Sequence, residues 1–292
     1  MTATIGADPE FFVSYYNDDS GNEGTIPCVG IIEGTKEEPF SLGDGFFTHE
    51  DNVAVELGIP PQTTQGGFAD AIMHGKEMII QLLDENHGGP SHYLDCMAEY
   101  SFHPDDLQSE QAKHFGCEPD YNAYETGKMR TMPRATKLSN YRHAGGHIHI
   151  GGEFKCPPFV AALFADCYLY LWPALSYPEA RPASTLDTER RSQWYGRPGV
   201  FRPKPYGIEY RTPSNWWCEN RGKAQMMGRQ ALRLSRFLEG TSSTALREMV
   251  RSIRWLDVQR LVETLRTFGG QDQWIGEVSA VLDDLRRVGV PI

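Results

Sequence analysis

From Thr2 to Tyr16 apolar and polar positions read as a strand with mixed alternation, and the turn-rich Asn17 to Gly24 bounds it. Ile26 to Glu33, Asn52 to Pro60 and Tyr93 to Phe102 read as further strands. Between Gly67 and Asn86, Phe68, Ile72, Ile79, Leu82 and Leu83 recur near helical spacing, and His87-Gly88-Gly89-Pro90 stops the run. Gly116 to Lys137 is turn-rich and irregular, whereas Gly145 to Gly152 is a short strand framed by glycine pairs. A helix is predicted over Pro158 to Leu175, opened by a proline where a missing N–H costs nothing, and a strand over Tyr206 to Thr212. Beyond Ser214 the spacing is helical, with Leu232, Leu234 and Leu238, then Met249, Ile253, Leu256, Leu261 and Leu265. Strands and helices first, a helical layer last, make an α+β protein. With no internal repeat and no long linker, one continuous domain over 1–292 is expected, its sheet region at 1–214 and its helical region at 215–292.

Composition narrows the picture without redirecting it. At 292 residues and 40% hydrophobic the chain can bury a full core. The apolar runs at Ile79 to Leu83 and Phe159 to Leu175 are too short or too interrupted for a membrane span, and Met1 to Glu10 has no signal-like core, so a cytoplasmic location is expected. Cys28, Cys96, Cys117, Cys156, Cys167 and Cys218 form no C-x-x-C pair, which argues against a zinc knuckle or a redox dithiol. A net charge of -11 disfavours nucleic acid as a partner. The charge is uneven: carboxylates crowd the first half, while Arg190, Arg191, Arg197, Arg202, Lys204 and Arg211 fall in one later stretch. An acidic metal pocket beside a basic phosphate clamp would produce that asymmetry.

Four constellations carry chemistry. In Gly6-Ala7-Asp8-Pro9-Glu10-Phe11-Phe12 two carboxylates two residues apart on a strand share a face. Like charges about 4 Å apart repel by roughly 4 kcal/mol at an effective dielectric near 20, so such a pair needs cations, protons or solvent. Gly145-Gly146-His147-Ile148-His149-Ile150-Gly151-Gly152 places two imidazoles on one face, one suited to a metal and the other to its surroundings. Gly207-Ile208-Glu209-Tyr210-Arg211-Thr212-Pro213 pairs a carboxylate with a guanidinium, which is either the acid's ion-pair partner or a bidentate phosphate ligand. Glu50-Asp51-Asn52-Val53-Ala54-Val55-Glu56 is acidic and strand-like. Asp8, Glu10, Glu56, His147 and Glu209 are mostly oxygen donors with one nitrogen, a set that suits magnesium or manganese better than zinc. No G-x-x-x-x-G-K-[ST] or G-x-G-x-x-G loop occurs, so a nucleotide here must be held by metals and arginines.

In this order the motifs resemble those of the glutamine-synthetase-like carboxylate–amine ligases, and most closely the phage-type amidoligases. The paired-acid strand followed by Phe-Phe is matched by Gly6 to Phe12 with Asp8 for the usual first glutamate, the glycine-led H-x-H strand by Gly145 to His149, and I-E-x-R-x-P by Ile208 to Pro213. The resemblance runs from about Ile5 to Ser214. It implies a curved, mainly antiparallel sheet forming a catalytic bowl, ATP with Mg2+ or Mn2+ as cofactors, and a carboxylate and an amine as substrates. Asp8, His147 and Glu209 would hold one metal, and Glu10 and Glu56 a second, with Asp51 or Asn52 as a third donor. Arg197, Arg202, Lys204 and Arg211 would bind the nucleotide, with Arg202, Arg211 and His149 as the candidate catalytic residues. The implied product is an amide made through an acyl phosphate, in the host cytoplasm if the chain is phage-encoded. The substrate loops would be Glu118 to Arg134 and Pro178 to Trp194.

Other classes compete. His147-x-His149 followed by Glu153 imitates a cupin metal set, although Pro157-Pro158 and a helical run follow where a cupin needs another strand. A metal-dependent hydrolase using the histidine pair leaves the basic run from Arg197 to Arg211 without a purpose. A non-catalytic binding protein on the same fold would not need the acidic, histidine and arginine positions together.

Overall fold

The computed structural model describes residues 3–17, 21–87, 91–113, 120–125, 128–130, 140–176, 196–268 and 275–292. The long strand β1 (Thr4–Asn17) organises the molecule. It is followed by β2 (Asn22–Ile26), β3 (Phe40–Gly43), β4 (Phe46–Asp51), β5 (Ala54–Gly58) and helix α1 (Gln65–His87). Next come β6 (Ser91–Asp95), β7 (Glu99–Ser101), the one-turn α2 (Glu110–Lys113), β8 (Asp120–Asn122), β9 (Lys128–Arg130), β10 (Tyr141–His143) and β11 (Gly146–Gly151). Helix α3 (Pro158–Ser176), β12 (Val200–Lys204) and β13 (Gly207–Tyr210) complete the sheet region. From Ser214 on, the described residues are helical apart from turns: a short 3-10 turn at Asn215–Cys218, then α4 (Arg221–Gly240), α5 (Ser243–Ser252), α6 (Trp255–Phe268) and α7 (Ile275–Arg287).

The main sheet runs in the order β3-β4-β5-β1-β11-β13-β12-β8-β9, with antiparallel pairing throughout this path. The first half of β1 pairs with β11 and β5, while its second half leaves them to pair with β2 and β6. Strands β7 and β10 form a separate ribbon. Chain pairing therefore follows hairpins only in part, since β1 takes β11 and β5 as neighbours across long sequence separations.

Period-two alternation gives the sheet two unlike faces. On one, Ile5, Ala7, Phe11 and Val13 of β1 join Ile148, Ile150, Ile208 and Tyr210 in the main core under α1, α3 and α4. Phe68 of α1 stacks on Trp217, and each such fully buried aromatic or aliphatic side chain contributes about 1.5 to 3 kcal/mol. On the other face, Asp8 and Glu10 lead to Phe12, which packs in a second cluster with Val53, Phe102, Leu107 and Ala144. Helix α3 is the one helix among the described residues long and apolar enough to cross a bilayer by length and composition; 78% of its apolar window is buried in the protein, as a core helix requires.

Two sequence expectations are corrected, and two strands are added. The stretch 26–33 is not a strand beyond Ile26: Gly30 takes a positive φ, and the Glu50 carboxylate accepts from the backbone N–H groups of Gly30 and Ile31 instead of a neighbouring strand doing so. Tyr93 to Phe102 divides into β6 and β7, which pair with different partners, β1 and β10. Strands β4 and β12 carry too little alternation to be read in advance, and both flank predicted strands as hairpin partners.

A buried carboxylate fastens α3 to the far side of the sheet. The helix continues through a π-type turn at Cys167–Leu171, and Asp166 at its threshold is fully buried. Its oxygens accept from Tyr124 Oη at 2.6 Å, Tyr210 Oη at 2.5 Å and the Gly199 N–H at 3.0 Å. Those donors sit on three segments, after β8, on β13 and before β12, that must stay in register for the site described below. Replacing Asp166 by alanine leaves these donors buried without an acceptor, and the expected loss is about 3 to 5 kcal/mol in urea unfolding. A loss under about 1 kcal/mol would mean the register is held by the strands alone.

Candidate functional site

Cross-strand register assembles the polar residues into rows. Asp8 of β1 lies opposite His147 of β11, and Gly6 opposite His149. His149 lies opposite Glu209 of β13, and Glu209 opposite Arg202 of β12. On the other flank Glu10 pairs with Glu56 of β5, which pairs with His49 of β4. The close approach at the start of β11 needs glycine: a Cβ on Gly146 would sit 2.2 Å from the Ser214 carbonyl oxygen. There the Gly145 N–H donates to Glu10 Oε2 at 2.7 Å, which aims that carboxylate.

Two acidic clusters result, each with ligand atoms mutually within 4.8 Å: Asp8, His149 and Glu209, and Glu10, Asp51 and Glu56. His147 stands between them, its Nδ1 3.4 Å from Asp8 and 3.9 Å from Glu209, and its Nε2 3.7 Å from Glu10. Arg211 Nη1 lies 3.2 Å from His147 Nδ1, the nitrogen that also faces Asp8, so guanidinium and carboxylate meet at the same edge of the ring. The three residues within common ligand reach in the first cluster thus include His149, whereas His147 was the imidazole expected there. His149 is also 3.0 Å from Asp8 through Nε2, and Tyr206 both hydrogen-bonds its Nδ1 and stacks on its ring. Tyr206 was not among the sequence candidates, although its place one residue before Gly207 puts it at the mouth of the catalytic-looking strand. Of the two donors considered for the second cluster, Asp51 is the one present. Asn52 occupies the left-handed turn between β4 and β5 and donates to Asp51 Oδ1 at 3.0 Å.

The basic residues close the row. Lys204 Nζ lies 2.7 Å from Glu209 Oε2, and Arg202 Nη1 3.6 Å from Oε1. Arg211 pairs with Glu209 and, through Nε, with Asp120 at 3.1 Å; Arg202 Nε meets the same Asp120 oxygen at 3.3 Å. Asp120, on β8, is a site residue that sequence reading missed, because a lone aspartate in a turn-rich stretch carries no motif. The Arg211 side chain is 2% exposed, against 16% for Arg202 and 30% for Lys204, so of the three only the latter two are partly open to solvent. Arg197 is half-buried ahead of β12, where its carbonyl accepts from Thr212 Oγ1 at 2.8 Å. The substrate loop expected at 178–194 lies outside the described residues, as do Arg190 and Arg191, and of 118–134 only 120–125 and 128–130 are described. Glu153, the cupin-like third position, falls after β11 and donates its N–H to Glu239, so no strand carries an H-x-H-x-x-x-E set.

Electrostatics separate the carboxylates. Burial opposes ionisation of Asp8, but the positive field and hydrogen bonds of His149 and His147 outweigh it and hold the group well below its ordinary value. Burial likewise works against Glu209, where Arg211 prevails and brings the value down to about 2. For Glu56, burial is joined by repulsion from Asp8, Asp51 and Glu10, and its value is pushed well up. Burial lowers His149, but Asp8 more than restores it and the imidazole is held above its usual value. Asp8 Oδ1, His149 Nε2 and Glu209 Oε2 are buried without satisfied hydrogen-bond geometry, in the same three residues that share ligand reach. This donor set, hard oxygens with imidazole nitrogen, fits a divalent cation.

These observations define an α+β protein whose antiparallel sheet presents a polyacidic, imidazole-containing centre rimmed by arginine and lysine. Residues 121–251 match the family model described as phage phiEco32-like COOH.NH2 ligase-type 2, which supports the phage-type amidoligase recognition made from the motifs. The matched segment contains His147, His149, Arg202, Lys204, Glu209 and Arg211, while Asp8, Glu10 and Glu56 precede it. No match to a curated protein reaches significance.

The signs of these shifts predict the metal-free stability profile. Glu56, raised in the fold, contributes stability below the ordinary glutamate range and loses it as pH rises through its folded value. Asp8 and Glu209, depressed in the fold, contribute above the ordinary carboxylate range and lose it as pH falls through their folded values. Melting temperature in chelator should therefore fall as pH rises above the ordinary glutamate range and through the folded value of Glu56, and Glu56→Gln should flatten that limb and leave the acid limb in place. Superimposable curves for the two proteins would show that Glu56 carries no such strain.

Proposed function

We propose that this chain is an ATP-dependent carboxylate–amine ligase working on a glutamine-synthetase-like catalytic sheet. The single observation that carries the reading is that the strand register brings Asp8, His149 and Glu209 within common ligand reach, with Arg202 opposite Glu209, and Glu10 opposite Glu56 beside them. Divalent cations held at Asp8, His149 and Glu209, and at Glu10, Asp51 and Glu56, would supply neutralising charge for the phosphate oxygens. Arg202 and Lys204, partly open to solvent, bind the transferred phosphoryl group, with Arg197 as a further nucleotide contact. Arg211 works from underneath: it holds Glu209 and Asp120 in place and braces the ring of His147. Tyr206 fixes the ring of His149, so that its other nitrogen stays turned toward Asp8.

In the reaction a carboxylate oxygen of the first substrate attacks the γ-phosphorus, the bond to the bridging oxygen breaks, and ADP leaves. The amine nitrogen then attacks the acyl carbon, phosphate departs with the C–O bonding electrons, and the amine gives up its proton. Catalysis of this kind is positioning and charge stabilisation, which a rigid sheet face with buried anchors provides. The arrangement also favours the ligase over a hydrolase built on the histidine pair, because Arg202 and Lys204 bring phosphate-binding charge directly against Glu209 of the acidic cluster.

Two measurements test the reading. Calorimetry with ATP should give binding in magnesium that disappears in chelator; equal affinity in both would remove cations from nucleotide binding. With a working substrate pair, found by screening carboxylates and amines for ATP-dependent phosphate release, Arg202→Ala should lower turnover by on the order of 10² to 10³ and weaken ATP binding much less. Turnover near that of the wild type would take Arg202 out of the phosphoryl clamp.

A further inference from the structure

His49 lies outside every motif and yet sits in the row that ends the second acidic cluster. On β4 it is directly opposite Glu56, which is directly opposite Glu10, and the alternation of a strand places Asp51 on the same face. Its side chain is 4% exposed, and Nε2 is 3.7 Å from Glu56 Oε1. Neither ring nitrogen has a hydrogen-bond partner. Burying a polar group in that condition costs about 1 to 3 kcal/mol, a cost that a packing role alone would not offset against a leucine of similar size. The ring plane is set by Phe47, which stacks on it at 14° and 6.5 Å between centroids. A fixed, buried, unpartnered imidazole aimed at a carboxylate that already belongs to a three-acid cluster has the character of a metal ligand, not of a core residue.

We propose that His49 supplies a nitrogen ligand, through Nε2, to a divalent cation held by Glu10, Asp51 and Glu56, and that it biases this position toward manganese or a similar borderline ion over magnesium. The inference rests on the two-cation reading above and adds its third kind of donor and its metal preference. Magnesium takes oxygen almost exclusively, whereas imidazole strengthens binding of the later divalent ions, so one nitrogen in an otherwise carboxylate site shifts selectivity without abolishing either metal.

The test counts bound manganese in the intact chain by the electron paramagnetic resonance of free Mn2+, without nucleotide or turnover. The wild type should bind two Mn2+ ions. His49→Leu, which keeps volume and removes the nitrogen, should lose one of them or weaken it by at least about tenfold. His49→Glu, which turns the site all-oxygen, should keep both but lower the preference for manganese over magnesium in competition by about tenfold. Near-ultraviolet circular dichroism of each variant checks that the fold is retained. Two ions bound by His49→Leu with unchanged affinity would overturn the assignment while leaving the two-cation reading intact. Fewer than two ions in the wild type would overturn both.

Discussion

Mutual repulsion among buried carboxylates is the constraint on which the rest of this structure turns. The register of β1 with β11 and β5 forces Asp8, Glu10, Glu56 and Glu209 onto one sheet face, where burial makes each charge expensive. The protein answers with neutralising neighbours at one end of the row and with too few at the other. Arg211, Arg202 and Lys204 surround Glu209, and two histidines flank Asp8. Around Glu56 the compensation is insufficient: burial and its neighbouring acids raise it more than Lys36 lowers it, and its cross-strand neighbour is an imidazole that burial makes harder to charge. An apo site balanced on one side and strained on the other is what a cation-dependent centre requires, because the ion then restores the charge that folding left uncompensated.

The opposite face explains how such a surface can be tolerated. The same strands that carry the acids bury Ile5, Ala7, Phe11, Val13, Ile148, Ile150 and Ile208 under the helices, so the sheet is stabilised from behind while its front is electrostatically costly. Asp166 adds a polar anchor within that apolar layer. By holding Tyr124, Tyr210 and Gly199 together, it couples the strands bearing Asp120, Glu209 and Arg202 to a core helix. Site geometry is thereby set by rigid elements, with the loops left to other tasks. Gly146 belongs to the same design, since only a residue without Cβ lets the start of β11 pass against Ser214 while Gly145 aims Glu10.

A fully buried Arg211 changes how the basic stretch is understood. As a sequence feature, Arg197, Arg202, Lys204 and Arg211 look like one clamp, but Lys204 and Arg202 keep some exposure while Arg211 is buried, and its charge serves the protein's own acids. A guanidinium that binds Glu209 and Asp120 while bracing the ring of His147 organises three groups at once through its planar fork, which an ammonium cannot do.

The residues that share a face within one strand were determined by the sequence alone. Asp8 with Glu10, His147 with His149 and Glu209 with Arg211 follow from the two-residue period, and the family resemblance follows from those pairs. The long helices at 65–87 and 158–176 and the helical tail were legible for the same reason, because their periodicity is local. Tertiary structure decided everything that depends on which strands become neighbours: that His149 joins Asp8 and Glu209 while His147 stands between the two acidic clusters, that Asp51 joins Glu10 and Glu56 while Asn52 takes the turn, and that Asp120, Tyr206 and His49 enter the site at all. Register between strands distant in sequence is a collective result of packing on both faces, and no short stretch of chain encodes it.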